Sequence, residues 1–227
     1  MQCFLFGGAK INLGMQAREE LGSEEKEKAI KLWLEARDEM VSKAEEMSAL
    51  GVHKQIVNRL TEPWMFITVL LTATEFDNWW TLRRHPDAQP EIKWVADDMF
   101  KQYENGHPGR LNAGEWHLPL ITWDDEVAGL SLNDLKKIST GRCARVSYLT
   151  HDGRRDHTED IKLHDRLLQS NHWSPFEHCA MALDKPDWCG NFVGWKQYRK
   201  FFKQEHVGGS LEDKYDLYKT IGEVNEF

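Results

Sequence analysis

The sequence predicts an α+β fold, and three observations carry that expectation. Apolar residues recur every three or four positions over residues 23–50 and 87–105, the period of helices that bury one face, and residues 64–82 read as a helix apolar almost all round. "FEHCAMALDKP" reads as a strand instead, and "NFVGWKQYRKFFKQEH" begins as one. Residues 106–130 carry Gly, Pro, Asn and Trp throughout and form a connection. One domain over residues 1–227 is therefore expected, with a helical half at 1–105 and a second half at 131–227.

Ser23 is placed to cap the first helix, and glutamates crowd its first turn. Ile30, Trp33, the stem of Arg37, Met40, Ala44 and Met47 fall on one stripe, and Gly51 ends the helix. "VHKQIVNRLTE" reads as a short helix stopped by Pro63. Pro63 then suits the first turn of a longer helix from Trp64 to Leu82. That helix is apolar almost all round, so burial on most sides is expected. Thr68, Thr72, Glu75 and Asn78 or Trp79 draw a polar stripe along it, either an edge facing water or the wall of a ligand site or subunit interface. Asp87 is the expected N-cap of the next helix, with Pro90 in its first turn. Ile92, Val95, Ala96, Met99 and Tyr103 line its buried face, and Asn105-Gly106 ends it. The second half opens with helical "SLNDLKKISTGRCARVSY", then a charged loop near 150–157 and a helix from Thr158 to Ser170.

Thirty-seven acidic against twenty-nine basic residues give a net charge of −8, which argues against a nucleic-acid partner. A local basic pocket for a small phosphate ester remains open. The ten tryptophans belong to packed core or to the face of a planar ligand. Cys3, Cys143, Cys179 and Cys189 form no C-x-x-C pair and read as reduced thiols of the cytoplasm, and Cys143, Cys179 and Cys189 read as buried fillers rather than nucleophiles. The start "MQCFLFGGAKINLGM" lacks the basic flank of a signal peptide, and the apolar stretch Trp64 to Leu71 is too short to span a bilayer. No membrane partner is expected. His151, His157, His164, His172 and His178 match no zinc spacing, so no metal is expected. Dinucleotide, P-loop and nucleophile-elbow motifs are absent.

"NWWTLRRHPDAQPEI" raises a sharper question, because an apolar run ends there in Arg83 and Arg84 just before a new helix. A helix N-terminus offers free N–H groups, and guanidinium offers a fork of donors, so a nucleotide or other anion is one reading. Compensation of a helix C-terminus is the other.

Three segments together resemble the flavin-dependent thymidylate synthases (the ThyX family). "ARVSY" (Ala144 to Tyr148) is similar to the family's A-A-R-V-S-Y, and "HWSPFEH" (His172 to His178) to its H-x-S-P-F-E-H. "NRLTEP…TATEFDNWWTLRRHPDAQPEI" is similar to its A-R-x-x-L-P segment followed by N-L-R-x-x-x-N-F-x-x-L-R-x-x-x-x-A-Q-x-E-I. The segments cover about half the chain, in the order of the circularly permuted, phage-type branch. The resemblance implies the thymidylate synthase-complementing (ThyX-like) fold, with helices on a small, mostly antiparallel sheet. It implies transfer of a one-carbon unit from methylenetetrahydrofolate to dUMP, giving dTMP, with FAD as cofactor and NADPH as its reductant. Arg59 and Arg83 match arginines that hold the nucleotide, and Arg83 is the catalytic candidate that polarises the pyrimidine. Arg199 and Glu205 fall on the substrate side. Asn78, Asp87, Ser147, Ser174 and His178 fall on the flavin and folate side. A homotetramer in the cytoplasm, the host's if phage-encoded, is implied as well.

Two departures bear on these expectations. The family's R-H-R-x-x-S-x-N-E-x-S-x-R is absent, and "QYRKFFKQE" stands in for part of it. An N-terminal piece is expected to be lost or carried on a separate chain. Thr74 replaces the arginine of the N-L-R segment. The alternatives are an incomplete or split homologue that binds nucleotide or a partner chain without turnover, or a relative that modifies another pyrimidine nucleotide.

Overall fold

The computed structural model describes residues 21–146 and 156–206. The chain divides into two compact units, Met1–Ile67 with Phe76–Pro108, and Thr68–Glu75 with Gly109–Phe227. Among the described residues the elements are helices and short antiparallel strands, the α+β class that the sequence predicts.

In the first unit α1 spans Ser23–Ala49, with Gly22 rather than Ser23 at the N-cap and Glu24 and Glu25 in the first turn. Trp33, Arg37, Met40, Ala44 and Met47 form the expected stripe, but it is only half-buried, and Ile30 is exposed. Trp33 packs on Trp64 with ring centroids 5.0 Å apart. α2 (Lys54–Val57) runs into 3-10 turns at Asn58–Leu60 and Glu62–Trp64, and Pro63 sits in the second. α3 (Asp77–Arg83) packs on α4 (Pro90–Asn105) through Phe76, Trp80, Phe100 and Tyr103, whose ring centroids lie 5.4 to 6.1 Å apart.

Two expectations fail here. Of the predicted Trp64–Leu82 helix only the part within α3, from Asp77 on, is α-helical, Trp64 closes the second 3-10 turn, and residues 65–76 carry no regular element. Phe66, Ile67 and Val69 are exposed rather than buried. The segment is rich in β-branched Ile, Val and Thr, which favour extended backbone. Its polar groups also find partners outside a helix: the Thr74 N–H donates to the Asn191 carbonyl, and Thr74 Oγ1 accepts from the Val193 N–H. The polar stripe drawn on that helix disappears with it. The α4 cap and face differ too. Gln89 is the N-cap with Pro90 at the first helical position, and Asp87 lies in the preceding turn. Ala96 is buried, yet Ile92 and Val95 are exposed, because the side that meets α3 carries Asp97, Phe100 and Tyr103, and Tyr103 stays 61% exposed despite its contacts with Phe76 and Trp80.

In the second unit α6 (Leu132–Ala144) packs on α7 (His157–Gln169), each with a side-chain cap. Ser131 accepts from the Asp134 N–H, and Asp156 accepts from the Thr158 and Glu159 N–H groups. β1 (Trp116–His117), β2 (Ala180–Ala182) and β5 (Trp195–Gln197) form an antiparallel sheet with β2 central. Trp116 pairs with Met181, and Ala180 pairs with Gln197. β3 (Trp188–Cys189) and β4 (Phe192–Val193) make a separate hairpin, turned by Gly190 at φ +63°. Phe176, Cys179 and Tyr198 centre the core, surrounded by Trp116, Leu118, Leu167, Leu168, Trp173 and Phe202.

Candidate functional site

The two arginines assigned to a nucleotide lie in the first unit. Arg59 sits in the 3-10 turn after α2, and Arg83 is the last residue of α3. Both are exposed, and neither makes an ion pair within the described residues. Arg84 differs: its Nε donates to Asp97 at 2.9 Å, and its guanidinium lies 3.5 Å from the Phe100 ring centroid. Of the paired arginines, then, Arg84 holds α4 and Arg83 stays available to an anion. Arg83 approaches the Trp79 ring at 6.0 Å. Asn78 is exposed in the first turn of α3, about 140° around the helix from Arg83. Asp87 is exposed and its N–H donates to His85 Nδ1 at 3.1 Å.

The Ser-Pro-Phe-Glu-His segment forms a 3-10 turn, Ser174–Glu177, in the second unit. Pro175 and Phe176 are buried, which leaves Ser174 exposed and Glu177 and His178 half-buried at the edge. His178 Nδ1 lies 3.0 Å from Thr72 Oγ1. Burial lowers the pKa of His178 below the ordinary imidazole value, against a smaller opposing pull from Glu177. Arg199 donates to Glu177 at 3.1 Å and lies 3.4 Å from Glu205, which also takes Lys200 at 2.7 Å. Arg199 and Glu205 are therefore brought together with the turn, and Arg199 is neutralised by two carboxylates. Ser147 lies outside the described residues.

The most strongly charged cluster is one that the sequence reading missed. Arg142, buried on α6, makes a bidentate pair with Asp125 at 2.6 and 2.9 Å, and its Nε donates to Asp160 of α7 at 3.0 Å. Arg145 donates to the other Asp160 oxygen, and His157 Nε2 lies 2.8 Å from Asp125. Arg142 also donates to the carbonyl of Leu120, whose φ of +63° is rare for leucine. Asp125 belongs to α5 (Trp123–Val127), where it closes a capping box with Thr122. The Thr-x-x-Asp spacing of residues 122–125 is the signal that could have located this helix start. Every charge here is matched within the cluster, so it braces α5, α6 and α7.

Arg142 holds the Asp125 carboxyl far below the ordinary carboxylate range, outweighing the opposing effect of burial. A depressed folded-state pKa contributes stability that is present above the unfolded value of about 3.9 and is lost as pH falls below it. Acid denaturation should therefore steepen between about pH 5 and pH 2. The Asp125→Asn variant is expected to be weaker at pH 7 and to show a flatter slope, read by urea midpoints across that range. An unchanged slope would contradict this origin of the acid sensitivity.

No protein-family model, curated protein or solved structure matches the chain. Among the described residues no group of His, Cys, Asp and Glu gathers as a metal set, and no helix is long and apolar enough to cross a membrane. Cys143 and Cys179 are buried, and Cys179 Sγ lies 3.2 Å from Ser139 Oγ. The hydrogen bond with Cys179 and burial push the Cys143 thiol up, away from nucleophilic use.

Proposed function

We propose that the protein acts in pyrimidine-nucleotide methylation, transferring a one-carbon unit from methylenetetrahydrofolate to dUMP in the manner of FAD-dependent thymidylate synthases. The observation that supports this most is the Thr72–His178 bond. It joins two of the resembling segments, "TATEFDN" and "HWSPFEH", across 106 residues of sequence. Arg59 takes the nucleotide phosphate, and Arg83 polarises the uracil carbonyl as the ring accepts charge. Both guanidinium groups are exposed and unpaired within the described residues, which suits an anionic ligand.

The flavin is a different matter. Its phosphates need cationic donors, and the described residues that align with the flavin side do not fit them. Thr74 stands where the family has arginine, and its hydroxyl is engaged by the Val193 N–H at 2.8 Å. Arg199, in the segment that stands in for part of the missing R-H-R-x-x-S motif, is held by Glu177 and Glu205. Flavin binding then requires cationic groups beyond these residues, in the rest of the chain, a second copy or a separate chain. The same observation favours a second reading, a nucleotide-binding subunit without turnover of its own.

Turnover tests separate the two. Protein supplied with dUMP, methylenetetrahydrofolate, FAD and NADPH is expected to form dTMP, read by mass spectrometry, with flavin absorbance retained after gel filtration. Binding of dUMP with neither product nor retained flavin would leave the subunit reading in its place.

A further inference from the structure

We propose that Thr72 is a positioning residue for His178: its hydroxyl donates to Nδ1, fixes the Nε2–H tautomer, and leaves Nε2 as a donor to a carbonyl or phosphate oxygen of the bound ligand. This rests on the reading that His178 belongs to the ligand site. Thr72 Oγ1 and His178 Nδ1 lie 3.0 Å apart, and both residues are half-buried. Thr72 carries one hydroxyl proton, and His178 Nδ1 is the acceptor within its reach among the described residues. Donation the other way would leave that proton without an acceptor among the described residues. The hydrogen bond at one ring nitrogen decides which nitrogen keeps its hydrogen.

Thr72 is itself held in place. The Asn191 side chain donates its Nδ2–H to the Thr72 carbonyl, and the Thr74 N–H donates to the Asn191 carbonyl at 3.4 Å. A turned-over Asn191 amide would set its Oδ1 against the Thr72 carbonyl, whereas in the present orientation Oδ1 accepts from Nε2 of the buried Gln197 at 2.9 Å. A chain of hydrogen bonds thus runs from Gln197 through Asn191 to the Thr72 backbone, and from the Thr72 hydroxyl to His178.

Nitrogen-15 NMR of labelled histidine tests this on the full chain, without relying on turnover. The wild type is expected to show His178 as the Nε2–H tautomer. Thr72→Val should lose that signature, and Thr72→Ser should restore it. An Nδ1–H signal in the wild type, or an unchanged spectrum in Thr72→Val, would overturn the assignment. Titration with dUMP and, separately, with FMN identifies whose oxygen Nε2 meets: that affinity falls several-fold in Thr72→Val and returns in Thr72→Ser. Wild-type binding that Thr72→Val leaves unchanged for both ligands would overturn the donor role. Wild-type protein with the Nε2–H signature that binds neither ligand would contradict the proposed function instead, since the tautomer is read without ligand.

Discussion

Replacing Arg142 by alanine is expected to destabilise the second unit by about 3–5 kcal/mol, the usual cost of removing one partner from a buried ion pair. The variant strands Asp125 and Asp160, each almost fully buried, with Arg145 and His157 as the remaining cationic partners among the described residues. The Leu120 carbonyl loses its donor as well. Burial works against the charge of Arg142, but Asp125 and Asp160 outweigh it and hold its pKa above the ordinary value. Arg142→Lys keeps the charge and loses the fork that meets Asp125 with two nitrogens, so a smaller loss is expected. Urea denaturation of both variants checks the order. A loss below about 1 kcal/mol in Arg142→Ala would place the cluster with exposed ion pairs, which contribute that little.

Gly141→Ala is the second large effect, and there the sign decides. Helix propensity alone predicts a gain of about 1 kcal/mol for alanine over glycine inside α6. A Cβ at this position would sit 2.4 Å from the Asp160 carbonyl oxygen, 3.0 Å from its carbon and 3.1 Å from its Cα. All three are backbone atoms, so α7 must move as a body, and it carries the carboxylate that Arg142 and Arg145 share. Overpacking of this kind costs about 1–3 kcal/mol, and a net fall in melting temperature is expected. A rise would show that the two helices separate at little cost.

Legibility of the sequence tracked how local the deciding forces were. The helix predicted from Thr158 to Ser170 lies at His157–Gln169, because its apolar period and the Asp156 cap are both written nearby. The strand in "FEHCAMALDKP" is β2. The Trp64–Leu82 helix failed because partners more than a hundred residues away, Asn191 and Val193, take the groups of Thr72 and Thr74. The α4 face was misread because Asp97 and Phe100 serve Arg84, a pairing invisible to hydropathy. In the candidate site, the resemblance drew attention to His178 and Arg199. It gave no sign that Thr72 would hold the first or that Glu177 would neutralise the second. The Arg142 cluster was missed for the same reason, since its members come from three separate helices.

Calorimetric titration with dUMP tests the central claim most directly. If Arg59 and Arg83 both hold one nucleotide, Arg59→Ala and Arg83→Ala should each weaken binding at least about tenfold, the equivalent of one charge-assisted hydrogen bond. Arg84→Ala should stay within about twofold of the wild type, as its guanidinium is committed to Asp97 and Phe100. Equal affinity for dUMP in the wild type, Arg59→Ala and Arg83→Ala would contradict the account.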